Sequence, residues 1–250
     1  RPVAEISFID FITLAMDQIV NEAAKIMAFS PGLYKIPLVI RTQCGTGRGI
    51  GGHHEQSLEA WFVHTPGLKV VMPSTPYDAK GLLKTSIRDN EPVIFIENKK
   101  LYPVEGEIPE EEYLIPLGKA DVKRKGTDLT VISTSFMVHL SLEAARILEE
   151  SGISIEVIDP RTLVPFDKDT IINSVKKTGK VLIVHEAVKR GGIGGEISAI
   201  IAEEAFDYLK GPIFRLAAPN IVIPSNYILD EYCIPKVEDI VLKVREILKK

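Results

Sequence analysis

The chain has 250 residues, 30 basic against 34 acidic, for a formal charge of −4, and 45% of its residues are hydrophobic. That is enough chain for one large or two medium domains with a real core, and its mixed charge excludes the long basic stripe of a nucleic-acid binder. Two cysteines, Cys44 and Cys233, are too few for a disulfide framework, and no apolar run reaches the roughly 18–20 residues that span a bilayer, so a soluble intracellular protein is expected.

In chain order, residues 3–8 read as a strand entered directly after Arg1-Pro2, with no methionine in front. A start in mid-domain leads us to expect residues missing before it. Residues 11–28 carry apolar side chains at helical spacing (Leu14, Ala15, Ile19, Ala23, Ile26) and run out at Ser30-Pro31-Gly32. Residues 37–40 form a short apolar strand. It leads into a loop with glycines at 45, 47, 49, 51 and 52, and that loop delivers His53 and His54 to a helix expected over 55–63.

Such a glycine run lets backbone approach something closely, and histidine is the side chain that titrates near neutrality. The loop lacks the third glycine of a dinucleotide fingerprint and the lysine of a P-loop. It is therefore either a cofactor or anion site or a structural turn. His53, His54 and His64 show no metalloprotease spacing, which speaks against a metal there.

Residues 68–72 are a strand, and Thr75-Pro76 supplies an N-cap and a first-turn proline for a helix reaching about residue 90. Residues 93–97 are a buried strand. From 98 to 126, prolines, glycines and three consecutive glutamates break the rhythm and read as a connection. A second alternating series follows: strands at 129–133, 153–158, 181–185 and 213–216, and helices at 138–150, 168–177, 198–209 and 237–248. The fold class is α/β, two domains (1–115 and 116–250) with mainly parallel sheets. The second glycine run, 191–195, is flanked by Glu186 and Glu196, so close strand–helix packing is its better reading, and His185 reads as a satisfied or interface histidine.

The segments RPVAEISFIDFITLAMDQIVNEAAK, HTPGLKVVMPSTPYDAKGLLKTSIRDNEPVIFIENKKLY, IDPRTLVPFD and VLIVHEAVKRGGIGGEI resemble the beta subunit of the thiamine-diphosphate-dependent decarboxylase component of 2-oxoacid dehydrogenase complexes, nearest the pyruvate and acetoin type. The resemblance spans nearly the whole chain. It implies a pyrimidine-binding domain followed by a transketolase-type C-terminal domain, and thiamine diphosphate shared with an alpha subunit that holds the diphosphate through Mg²⁺. It further implies an α2β2 heterotetramer, an acyltransferase core whose lipoyl arm takes the acyl group, and a place in the cytoplasm or, in a eukaryote, the mitochondrial matrix.

Residue by residue, His54 matches the family's active-site histidine, with proton transfer during lipoyl acylation as its implied task. Phe11 matches the aromatic residue packed on the aminopyrimidine ring. A structural K⁺ would be held by Leu38, Ser86, Ile87, Asp89 and Glu91, mostly through main-chain carbonyls. Taken alone, Phe11 could equally be core packing, and residues 87–91 an ordinary helix end.

Two departures stand out. The family segment reads Gln-His-Ser where this chain has His53-His54-Glu55, which sets a carboxylate next to the imidazole. The family's glutamate that activates the pyrimidine lies upstream of Arg1, so no residue here is assigned that task. The rival readings are a transketolase-like enzyme half, which would need a basic, histidine-rich funnel for sugar phosphates, and a non-catalytic docking module.

Overall fold

The computed structural model describes residues 1–249. Its strands are β1 (Val3–Ile6), β2 (Val39–Cys44), β3 (Lys69–Val71), β4 (Val93–Asn98), β5 (Asp121–Arg124), β6 (Leu129–Ser133), β7 (Ile155–Asp159), β8 (Thr162–Val164), β9 (Val181–Val188) and β10 (Phe214–Ala218). Its α-helices are α1 (Ile26–Phe29), α2 (Glu59–Val63), α3 (Pro76–Arg88), α4 (Phe136–Glu149), α5 (Lys168–Thr178), α6 (Ile193–Ala205), α7 (Tyr227–Asp230) and α8 (Val237–Leu248). They fall into two units. The first holds Arg1–Gly118 together with Arg161–Pro165 and Val222–Glu231, and the second holds the remainder.

The first unit is a five-stranded sheet in the order β1-β2-β4-β3-β8, parallel except for β8. Val39, Val93, Phe95 and Val71 pack beneath Leu82 of α3 and Ile115. α3 begins as its sequence dictates, with the Thr75 hydroxyl accepting from the Asp78 N–H at 3.1 Å and Pro76 in the first turn. The second unit has the order β10-β9-β6-β7-β5, with β5 antiparallel at one edge. Leu129, Val131, Val157 and Leu182 form its core with Met137 and Leu148 of α4 and Val244 of α8.

Both sheets are mainly parallel, as alternating strands and helices require. The differences from expectation are local. The stretch over 11–28 is helical but changes pitch, a 3₁₀ turn over Ile9–Ala15 giving way to a π turn over Gln18–Ala23 and then α1. Thr13 Oγ1 donates to the Asp10 carbonyl and closes the tighter turn, whose three-residue period buries Ile9 and Ile12 together. α2 starts at Glu59 and not at 55, because Glu55 is held by the glycine loop instead. β5, β8 and α7 were not anticipated: three- and four-residue elements carry too little periodicity to be read. Among the described residues, no helix is long and apolar enough to cross a membrane.

Candidate active site

His54 stands at the end of the glycine loop that follows β2, and Phe8 and Phe11 come from the turn that follows β1. β1 and β2 are paired in parallel, so the segments leaving their carboxyl ends emerge side by side, where α/β sheets commonly place ligands. The His54 ring meets Phe8 edge to face at 4.9 Å and 86°, and Phe11 at 5.2 Å and 80°. Its Nδ1 is buried with no hydrogen-bond partner among the described residues, whereas the ring of Phe11 remains 41% exposed.

The backbone of His54 is fixed at both ends. Its N–H donates to the Gly51 carbonyl at 3.0 Å, and its carbonyl accepts from the buried ammonium of Lys99, which also lies over the Phe8 ring at 5.3 Å. Asp10 ties the two segments together, since its Oδ1 accepts from the Gln56 side-chain amide at 2.8 Å and from the Gln56 N–H at 3.3 Å. The structure thus brings His54 and Phe11, two residues singled out from the sequence, into one cluster. Phe8, Lys99, Asp10 and Gln56 were missed. Only Phe8, three residues before Phe11, left any trace in the sequence. His53 and His64 are exposed and take no part, and no group of three metal-ligating side chains occurs among the described residues.

The glycine loop answers the question left open by its sequence. Gly45, Gly47, Gly49 and Gly51 all have positive φ, a backbone that forms an anion-binding concavity of N–H groups. Two buried carboxylates of the chain itself fill it. Glu55 accepts from the Arg48 N–H at 2.7 Å and the Gly51 N–H at 3.0 Å, and Asp230 Oδ2 accepts from the N–H groups of Gly47 and Gly49 at 3.2 and 2.8 Å. The donors an external phosphate would need are taken. The carboxylate expected to face His54 is engaged by main-chain N–H groups, because a buried acid must find donors. Asp230 had no sequence signal at all.

The five residues named for a potassium ion meet at the opposite, amino-terminal ends of the strands. Leu38 precedes β2, Glu91 precedes β4, and Ser86, Ile87 and Asp89 close α3. Their oxygens already attract cations. Arg1 donates to the Ile87 carbonyl at 3.1 Å and to that of Asp89, and Lys69 lies 2.6 Å from Asp89 Oδ2 and 3.3 Å from Glu91. Burial works to raise the Asp89 carboxyl, yet Lys69 and the N–H groups of Glu91 and Asn90 hold it below the usual range. Arg1 and Lys69 show that the oxygens of Ile87, Asp89 and Glu91 draw positive charge, whereas the Leu38 carbonyl accepts from the Val93 N–H at 2.9 Å.

The second glycine run is a packing device. A Cβ on Gly192 would lie 2.6 Å from Cε1 of His185, and one on Gly194 2.7 Å from its Nε2. These glycines make room for an imidazole that is wholly buried in β9. They are drawn into the start of α6, which therefore begins at Ile193, not 198. Neither ring nitrogen of His185 has a hydrogen-bond partner of normal geometry among the described residues, and the reading of a satisfied or interface histidine stays open. Burial first, then the positive charge of Arg215, pushes its pKa down to about 4.

A separate cavity of about 410 Å³ lies in the first unit beside Arg41, Glu97 and Tyr102. There the guanidinium grips the carboxylate bidentately at 2.8 and 2.9 Å, and the phenol donates to it at 2.8 Å. None of the His54 cluster lines this cavity.

Residues 1–105 match the pyrimidine-binding domain of transketolase, and residues 118–240 match the transketolase C-terminal domain. The chain is 47% identical over 249 residues to the 2-oxoisovalerate dehydrogenase subunit beta of Bacillus subtilis, covering 99% of this chain and 76% of that one. It is 44% identical to the beta subunit of acetoin:2,6-dichlorophenolindophenol oxidoreductase of the same organism, over 99% of this chain and 72% of the relative. It is 47% identical to the pyruvate dehydrogenase E1 component subunit beta of that organism, over 100% and 77%. Among solved structures it resembles an inactive beta4 tetramer of a split-gene transketolase in fold, with a TM-score of 0.79 at 23% identity over 99% of this chain and 76% of that one.

Proposed function

Because the chain belongs to the transketolase-like family of E1 beta subunits of 2-oxoacid and acetoin dehydrogenases, we propose that it forms the pyrimidine-binding and proton-transferring half of a thiamine-diphosphate-dependent dehydrogenase, active only with an alpha subunit. The observation that carries this reading is the buried, unpartnered Nδ1 of His54, set between Phe8 and the half-exposed ring of Phe11. A flat heterocycle suits that setting, with an exposed aromatic side chain to pack on beside the imidazole.

Thiamine diphosphate, when bound, supplies the carbon nucleophile and the electron sink. This chain's residues do the remainder. Phe11 supports the aminopyrimidine ring and keeps water from it. His54 holds or releases a proton at an imidazole nitrogen while the acyl group passes to a lipoyl sulfur, a task open to a ring that can both donate and accept. Lys99 fixes the His54 carbonyl, and Asp10 ties the Phe11 segment to the loop through Gln56.

Mg²⁺ and the diphosphate fall to the alpha subunit in an α2β2 assembly, and the acyl acceptor is the lipoyl arm of a dihydrolipoyl acyltransferase core. The oxygens of Leu38, Ser86, Ile87, Asp89 and Glu91 seat a structural K⁺. What supports this is the carbonyl-rich end of α3 and the two cationic side chains already drawn to it. The compartment is the cytoplasm, or the mitochondrial matrix in a eukaryote.

Pyruvate is the first candidate substrate. The test is to reconstitute the chain with its alpha subunit and assay pyruvate, 2-oxoisovalerate and acetoin side by side for thiamine-dependent acyl transfer to lipoamide. Turnover of pyruvate ahead of the other two is expected. Assembly without any turnover would reduce the chain to a docking module, and turnover of a sugar phosphate would make it a transketolase half.

A further inference from the structure

The residues that shape the glycine loop point beyond His54 itself. Glu55 and Asp230 are both wholly buried, and the carboxylates of both turn to main-chain N–H groups of the glycine loop. Between them they accept from the consecutive N–H groups of Gly47, Arg48 and Gly49 and from that of Gly51. Gly51 then accepts the N–H of His54 through its own carbonyl. A displacement of Glu55 therefore reaches His54 through Gly51, and one of Asp230 reaches it through Gly49 and the two residues that follow.

Asp230 arrives on a distant strap, Val222–Glu231, that lies directly on the loop. A Cβ on Gly49 would come 2.7 Å from the Tyr227 nitrogen, and one on Gly51 2.1 Å from Ser225 Oγ. Asn226 caps the helical turn that carries Asp230, its side chain accepting from the N–H groups of Ile228 and Leu229 at 3.0 Å each. A serine at position 55, as in the resembled family, could not bridge the two N–H groups that this carboxylate spans.

We propose that Glu55 and Asp230 are positioning residues that together clamp the glycine loop and so hold His54 at the place where it exchanges its proton. The proposal rests on the reading of His54 given above. A clamp acts chiefly on one step: loosening it moves the imidazole relative to the lipoyl sulfur, whereas Phe11 is also held within its own turn by its N–H to the Phe8 carbonyl and by the Thr13 hydroxyl on the Asp10 carbonyl. Misplacement of a reacting group by about 1 Å costs on the order of 10²-fold.

The test uses the chain assembled with its alpha subunit, in Glu55→Gln, Glu55→Ala, Asp230→Asn and His54→Ala forms. Three readouts are taken on each: acyl transfer to lipoamide, substrate consumption with an artificial oxidant, and thiamine diphosphate affinity. Acyl transfer is expected to fall about 10-fold in Glu55→Gln and Asp230→Asn and on the order of 10²-fold in Glu55→Ala. The other two readouts should hold, and the amide should retain more activity than the alanine because it keeps one acceptor. Should Glu55→Ala fail to assemble, the near-isosteric Glu55→Gln decides. Unchanged acyl transfer in Glu55→Gln and Asp230→Asn, with His54→Ala impaired, overturns the clamp alone. A parallel fall of all three readouts assigns the carboxylates to fold stability and also overturns it. Full acyl transfer in His54→Ala overturns the reading of His54, and the clamp falls with it.

Discussion

His54 and Phe11 stand edge to face, with 5.2 Å between ring centroids and 80° between planes, although 42 positions separate them in the chain. The two rings wall each other at right angles, and Phe11 still keeps 41% of its surface exposed. One side chain therefore both walls the His54 ring and keeps surface open to solvent.

Replacing His54 by alanine should leave assembly with the alpha subunit intact and cut acyl transfer to lipoamide by on the order of 10²–10⁴, the usual range for a lost general acid–base. Stopped-flow acylation of lipoamide by the reconstituted enzyme measures this directly. Unaltered rates would remove His54 from the chemistry.

Phe11→Ala should weaken thiamine diphosphate binding by about 3- to 10-fold, matching roughly 0.5–1.5 kcal/mol for an aromatic contact. Calorimetric titration of the assembled enzyme is the measurement. Phe8→Ala, which removes a ring only half as a wall for His54, should disturb acyl transfer more than cofactor affinity.

His185 gives the second unit a pH dependence whose sign is fixed by burial. Burial pushes its folded pKa down to about 4 from the ordinary histidine value of 6.5, so between those values the unfolded chain takes up a proton that the folded chain refuses. Stability is full above about pH 6.5 and declines as pH falls towards 4, by roughly 3 kcal/mol in all. Urea unfolding at pH 7 and pH 4.5 should show this loss in the wild type, and a shallower one in His185→Gln. Equal slopes in the two proteins would mean that another group carries the effect.

Gly194→Ala should destabilise the second unit by about 1–3 kcal/mol through overpacking against the His185 ring, which a new Cβ would meet at 2.7 Å. Trimming the ring relieves the clash, so His185→Ala should be less harmful in the Gly194→Ala background than alone. A double-mutant cycle should therefore return a coupling of about 0.5–3 kcal/mol. Strict additivity would show that the glycine serves some other purpose.

If K⁺ seats among Leu38, Ser86, Ile87, Asp89 and Glu91, adding potassium should raise the melting temperature by about 2–4 °C per kcal/mol of binding free energy. Choline at equal ionic strength should not. Equal shifts with both salts would reduce the effect to screening.

The sequence by itself determined the alternation of strands and helices, the N-cap at Thr75 and the packing role of the second glycine run, because each rests on local periodicity or on residue-specific backbone freedom. His54 and Phe11 were legible only through long segments that resemble a known family; spacing alone left the loop undecided between an anion site and a turn. Tertiary structure decided the rest. It set Glu55 and Asp230 into the loop's N–H groups, brought Lys99 to the His54 carbonyl, and buried the His185 ring against Gly192 and Gly194. The Glu55 contacts are local, four and seven positions apart, but those of Lys99 and Asp230 join residues 45 and 183 positions apart. No local propensity encodes them, since a buried carboxylate is indifferent to where along the chain its donors lie and needs only that folding bring them within hydrogen-bond reach.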